Sequence, residues 1–365
     1  MKKNVIYIIF FFLLACNPSV EKQENNPAIE EKQELPNIVN KDQEKKNINN
    51  KQNKKEDTEK ETPIKKIEQY NFTKGIYLSA YTVSSNRFET ILDSAEAAGI
   101  NTVVFDLKNM KGRVFFSVPQ KDSLRAERVD RIVNIKKTVK ALHDRDMRAV
   151  ARLVMFHDRF VAMRDSTVRP KSSSGKPWRE SSRIDPSWLD PSLPSVQNEL
   201  LEIIELAAKN KVDEIQLDYI RFPTQGSLDD AVFYFIQQDS LLVKQDSLYQ
   251  TRSKIDIITS FVKDVYKVCK KYEVSLTADI FAIVAWQRKA DVQNTGQDIG
   301  SISRYLDSIH PMIYSSHFSD GFGFRRDVAN EPYHMVYKAA KLTRRYAETG
   351  CKVIPYIQAN SWRVN

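Results

Sequence analysis

The chain has 365 residues, 56 Lys and Arg against 47 Asp and Glu, a formal net charge of +9, and 41% hydrophobic residues. That length holds one large domain with chain to spare. The three cysteines and five histidines fall in no metal-ligand spacing, and the basic excess forms no stripe with interleaved aromatics, which argues against zinc chemistry and against a nucleic-acid partner.

Lys2, Lys3 and Asn4 open the chain and an uncharged apolar run follows from Val5 to Ala15. The run is too short to span a bilayer and has the length of a signal-peptide core. It ends Leu13-Leu14-Ala15-Cys16, which resembles a bacterial lipobox. That resemblance implies residues 1–16 as a signal with Cys16 lipidated, so that acyl chains would tether the protein to a membrane of the cell envelope, outside the cytoplasm. Residues 17–70 are rich in Lys, Glu, Gln and Asn, with eleven lysines against twelve acids. Such a segment buries too little apolar surface to offset chain entropy and is predicted to be a disordered spacer. Lys2 and Lys3 carry +2 and the spacer −1, which leaves +8 for residues 71–365. A basic domain of that kind suits anionic glycopolymers or lipid headgroups.

From residue 75 onward, strand-like runs alternate with helix-like stretches. The strands are predicted at Gly75–Tyr81, Thr102–Leu107, Arg148–Phe156, Glu214–Phe222, Val274–Phe281, Ser308–Ser315 and Lys352–Gln358. The helices are predicted at Phe88–Ala98, Val129–His143, Val196–Lys209, Ile255–Lys271 and Tyr333–Glu348, with Gly99 where a helix C-cap prefers glycine. Arg113–Val118 reads as a β-hairpin arm in the second loop. Strand–helix alternation demands parallel strands. The first strand runs into Ala80-Tyr81-Thr82-Val83-Ser84-Ser85-Asn86 without the glycine-rich turn of a dinucleotide fold. Polar residues recur at strand ends instead: Asp106, Asp218, Asp279, Tyr314 with His317, and Gln358. The fold is therefore predicted as α/β, a (β/α)8-type TIM barrel with seven strands counted and the last βα unit lacking. Cys269 and Cys351 are expected as two buried thiols.

The most telling segment is Asp213–Pro223, in which Ile215, Leu217 and Tyr219 share one parity and Gln216, Asp218 and Ile220 the other. Asp218 thus ends a buried strand, where such barrels carry their chemistry. With Val103–Phe116, Gly175–Glu180, Trp188–Ser192, Leu276–Ala282, His310–Phe318 and Asn330–Ala339, this segment resembles the bacterial "putative glycoside hydrolase domain" family of the glycosidase superfamily of TIM barrels. The chain departs from that family's pattern at Asn109 and Met110, where relatives carry an acid, and at Ser315, where they carry proline.

The resemblance implies a glycoside hydrolase acting on an envelope or extracellular polysaccharide, with no cofactor. Glycoside hydrolysis uses two carboxyl groups. Asp218 and Asp279, on the fourth and fifth strands, resemble the amylase-like arrangement, with Asp218 as nucleophile or stabiliser and Asp279 as acid. A plan using the fourth and seventh strands fails because Gln358 holds the seventh position. Asp106 and Lys108 are expected as an ion pair lining the pocket, and Arg221, Tyr314, His317 and Gln358 as further substrate contacts. Asp218 could instead pair with Arg221 or Arg152 as a purely structural bridge. Asp190 is expected to cap a helix. Trp178, Trp188, Trp286 and Trp362 all fall near strand-end loops, where aromatic faces stack on sugars or plug the rim. The competing function is a silent barrel that binds glycans or proteins. A metal-dependent deacetylase would need a His and Asp triad that the sequence lacks. Nothing in the sequence sets an oligomeric state.

Overall fold

A computed structural model describes residues 72–359. The expectations for the 1–16 leader, Cys16, the 17–70 spacer and Trp362 lie outside these residues. The elements run β1 (Gly75–Leu78), α1 (Phe88–Ala97), β2 (Thr102–Lys108), α2 (Ile135–His143), β3 (Arg148–Val154), α3 (Pro194–Ala208), β4 (Glu214–Asp218), α4 (Lys254–Lys271), β5 (Ser275–Ile280), β6 (Ser308–Ile313), α5 (Pro332–Tyr346), β7 (Lys352–Val353) and β8 (Tyr356–Ile357). All of these strands pair in parallel, in the order β1 to β6, and both β7 and β8 pair with β6. The last two are one strand line, interrupted at Ile354-Pro355. The result is a curled parallel sheet of seven strand positions, and no pairing joins β8 to β1 among the described residues.

The period of two decides what lies on each side of this sheet. Val103, Phe105 and Leu107 of β2, Ala149, Ala151 and Leu153 of β3, Ile215 and Leu217 of β4, and Leu276, Ala278 and Ile280 of β5 all enter the main apolar core. Helices supply the other half of that core. On α4 the buried positions are Ile257, Ile258, Phe261, Val262, Val265 and Cys269, one face at helical spacing. On α3 they are Val196, Leu200, Ile203, Ile204, Ala207 and Ala208. Each fully buried aliphatic or aromatic side chain of this kind contributes about 1.5–3 kcal/mol. The α4 N-terminus is held by a capping box, with Ser253 and Asp256 each accepting the other's backbone N–H. Gly99, at φ 70°, closes α1 as its position predicted.

The opposite parity carries, besides Val104, Val150 and Val154, the polar residues Asp106, Arg152, Gln216, Asp218, Thr277, Asp279, Ser308 and His310, of which all but Arg152 are buried. Register stacks them, with Asp106 beside Arg152, Arg152 beside Gln216, Gln216 beside Thr277, and Asp279 beside His310. Branched apolar residues are the usual filling of such a barrel. Buried polar groups here must find partners or bear a cost.

Predicted boundaries move: the first strand, expected over Gly75–Tyr81, ends at Leu78, and the fourth, expected over Glu214–Phe222, ends at Asp218. The helix expected over Val129–His143 begins only at Ile135, capped by Asn134. The backbone before it is already engaged, because Asp130 donates to Val114 O and Val133 to Phe115 O. The Arg113–Val118 run folds back as expected, though only Val114 bridges antiparallel to Lys108. Cys269 and Cys351 are free buried thiols, both pushed up to about 12 chiefly by burial. No helix among the described residues is long and apolar enough to cross a membrane.

Candidate functional site

Strand β4 delivers Asp218 to the carboxyl end of the sheet and then bends abruptly. Tyr219 takes φ 53°, a left-handed conformation costly for a bulky residue. The bend turns the Tyr219 N–H back onto Asp218 Oδ1 at 2.6 Å. The other oxygen, Oδ2, accepts from Arg152 Nε at 3.1 Å and Nη2 at 2.5 Å. Arg152 Nη1 donates to Asp106 Oδ1, whose partner oxygen accepts from the Tyr77 hydroxyl at 2.6 Å. Burial alone would lower the Arg152 pKa, but Asp218, Asp106 and Asp279 outweigh it and hold the guanidinium charged. The bridge thus forms to Arg152 and not to Arg221.

Asp279, at the end of β5, is buried and receives Gln216 Nε2 at 2.7 Å. The same Nε2 reaches the Tyr356 hydroxyl at 2.9 Å. Burial, and then the negative charge of Asp218, push the Asp279 pKa well above the ordinary aspartate range, against the pull of Arg152. Three carboxyls therefore crowd one guanidinium, and at Asp279 burial makes the charged form the costly one. Gln216 Oε1 is buried without a described partner, so reversal of this amide would let it accept from a protonated Asp279. Tyr314 and Tyr356 are raised by burial and by Asp279, and Tyr77 by burial and Asp106.

The remaining sequence candidates divide. Lys108 is a correction: it does not pair with Asp106. Its side chain is sealed at 0% exposure, donates to Val154 O at 2.8 Å and bridges Asp158 at 2.9 Å. The register shift between Asp106 and Lys108 accompanies this parting of the two side chains. Lys108 cannot touch substrate from there. Gly112, at φ 83°, is required beside it, since a Cβ would lie 2.0 Å from Asp158 Oδ1. Gln358 Oε1 accepts from the Ser316 hydroxyl at 2.6 Å, and His317 is exposed with its ring 5.1 Å from that of Tyr314. A groove of about 460 Å³ is lined by Ser315, Tyr333, Tyr337, Ile357 and Gln358, and neither Asp218 nor Asp279 lines it.

Arg221 is 8% exposed and packs between the rings of Trp188, Phe281 and Tyr219. His157 joins this cluster, 4.9 Å from Tyr219 and 5.1 Å from Trp188, and burial with help from the Arg221 charge lowers it to about 4. Trp178 is a plug, buried with Nε1 donating to Ser227 O, and Trp286 packs on Phe318 and Phe322. Asp190 does cap a helix, but one distant in sequence: it accepts the backbone N–H of Tyr234 at 2.7 Å. Asn109, where an acid was noted as missing, shapes a turn by accepting from Lys111 and Arg113 N–H groups.

Sequence reasoning missed Tyr77, Gln216, His157 and Tyr356. Gln216 shares the parity of Asp218, and Tyr356 that of Gln358, so strand period alone held their signal. Among the described residues no cluster of three or more His, Cys, Asp or Glu is placed to hold a metal.

A search among curated proteins gave no match. Among solved structures, the chain is similar to a hypothetical protein from Ruminiclostridium thermocellum ATCC 27405, with 27% identity, 56% of this chain and 96% of that one covered, and a TM-score of 0.45. It is also similar to the PgaB (BpsB) glycoside hydrolase domain from Bordetella bronchiseptica, with 15% identity over 80% of this chain and 86% of that one, and a TM-score of 0.54. The latter likeness concerns the fold. The profile described as "Putative glycosyl hydrolase domain" matches residues 75–364, and the chain belongs to that family.

Proposed function

We propose that this protein hydrolyses glycosidic bonds in a cell-envelope or extracellular polysaccharide, with Asp218 and Asp279 as its working carboxyls. Family membership and fold support a glycosidase-like function. The observation that carries the finer reading is the contrast between two neighbouring carboxyls. Burial and the charge of Asp218 push Asp279 upward, while the oxygens of Asp218 accept from the Arg152 guanidinium and the Tyr219 N–H. Asp279 then serves as the acid that protonates the leaving oxygen. Asp218 Oδ2 is committed to Arg152, so Oδ1, held by one backbone N–H, is the oxygen free to attack or to stabilise the oxocarbenium centre. Arg152 and Tyr77 hold Asp106 beside the pair, positioning the guanidinium. The test is a screen of the purified protein against envelope polysaccharides, with Asp218→Asn as control. Equal turnover by both proteins would sink the assignment.

One observation favours a second reading. The Asp106–Arg152–Asp218 bridge satisfies Asp218 without any substrate, as a silent glycan-binding barrel would have it. Saturable binding with no turnover in either protein would decide for that reading. The Cys16 segment gives a matching proposal for location, a lipid anchor in the bacterial envelope. Cys16→Ser should release the protein from membranes or leave an uncleaved precursor.

A further inference from the structure

We propose that Arg221 forms an oxyanion-binding subsite beside Asp218 and Asp279, so that the glycan accepted here carries a negatively charged substituent, the carboxylate of a uronic acid being the planar group that fits. This rests on the glycosidase reading and names its substrate class.

The other cations buried among the described residues face carboxylates: Lys108 meets Asp158, Arg125 meets Glu199 and Glu202, and Arg128 meets Asp158 and Glu199. Arg221 makes no ion pair among the described residues. Its Nη1 donates to Phe222 O at 3.1 Å and Thr224 Oγ1 at 3.3 Å, which leaves Nε and Nη2 without a described acceptor. Those two groups form one edge of the guanidinium, the fork that matches a carboxylate, sulfate or phosphate bidentately. The guanidinium carbon sits 4.7 Å from the Trp188 ring centre, 5.0 Å from Phe281 and 5.3 Å from Tyr219, so the head group is held in place before any ligand arrives.

An uncompensated buried charge is costly, and burial here depresses the Arg221 pKa against opposition from Tyr219 and Asp218. The titratable rings of the cluster are Tyr219, centred 5.3 Å from the guanidinium carbon, and His157, which burial holds neutral so that it adds no second positive charge. The location is that of a subsite. Arg221 lies three residues beyond Asp218, and Phe281 two beyond Asp279. The +8 carried by residues 71–365 favours the same partner at long range.

The experiment uses the full chain bearing Asp218→Asn, which blocks turnover, and measures binding of oligogalacturonate, oligomannuronate and hyaluronan fragments against their carboxyl-reduced counterparts. Sulfated and desulfated neutral oligosaccharides form a second arm. The acidic glycans are expected to bind roughly 10- to 100-fold tighter than the reduced ones, the range for a charged hydrogen-bond pair. Adding Arg221→Met should erase that gap and leave affinity for the reduced glycans in place. A gap confined to the sulfated arm and erased by the same change would support the subsite with ester sulfate as its ligand. If Arg221→Met does not fold, Arg221→Lys carries the test, since it keeps charge but not the fork, and a fully retained gap overturns the proposal. Equal affinity for acidic and neutral glycans overturns the subsite while leaving the hydrolase reading intact. Acid-selective binding lost with Arg221, but no turnover by the native protein, supports the subsite and sinks the hydrolase. No binding to any of these glycans overturns the proposal.

Discussion

Two ionic clusters begin on one strand, β2, at Asp106 and Lys108, and differ in balance. Lys108 and Arg128 enclose Asp158, and Arg128 continues to Glu199. Lys108 and Asp158 are sealed from water, and every charge in that group has an opposite beside it. Burial would raise the Asp158 pKa, but Lys108 and Arg128 overrule it and the carboxylate stays ionised. Across the strand, Arg152 alone faces Asp106, Asp218 and Asp279. Burial, and then the charge of Asp218, push the Asp279 carboxyl well above the ordinary aspartate range, because the single guanidinium cannot offset them. A balanced cluster holds backbone in place; on the proposed reading, the unbalanced one supplies the proton for the leaving oxygen. The difference separates scaffold from chemistry more clearly than burial does, since both clusters are buried.

The comparison breaks most visibly at Asp218. Asp218→Asn is expected to reduce glycan turnover to background while the melting transition survives, because the amide still accepts from Arg152. Asp279→Asn should lower kcat by about 10²–10⁴ on substrates with poor leaving groups, and far less on activated aryl glycosides that need little protonation. Its effect on stability has the opposite sign. Asp279 holds its proton to higher pH when folded, so this contribution is fully present below about 3.8, the ordinary aspartate value, and is lost as pH rises through the folded value. Urea titrations across pH should show Asp279→Asn removing that decline. A variant that follows the native pH profile would mean the proton sits elsewhere.

Lys108→Met tests the balanced cluster. It leaves Asp158 short of a partner in a sealed site, and the expected loss is about 3–5 kcal/mol, read from urea unfolding. A loss much smaller than this would mean that Arg128 alone suffices. The smallest effect is at His157. Its folded pKa is depressed to about 4 from 6.5, so folding binds fewer protons than unfolding between those values. Stability should fall by roughly 1–3 kcal/mol as pH drops through that window. His157→Gln should flatten that limb without changing the alkaline side.

Much of this was legible in the chain. Alternation of strand and helix gave the barrel-type fold and the seven strands, because period and order are local properties of sequence. Asp106, Asp218, Asp279 and Gln358 were found because a polar residue at the end of an apolar run is conspicuous. The pairings were not legible. Lys108 lies two residues from Asp106, yet it leaves for Asp158, some fifty residues away. Arg152 and Arg221 were equal candidates for Asp218 until the register set Arg152 between Asp106 and Gln216.

The sequence by itself determined which residues face inward and which outward, since side-chain direction follows from strand period within a few residues. Only the tertiary structure decided which inward charges meet, how deeply Asp279 is buried beside Asp218, and that Arg221 is left without an ion pair among the described residues. Those outcomes depend on distances of a few ångströms between strands far apart in the chain, and on the water excluded between them, and neither is written in any local pattern.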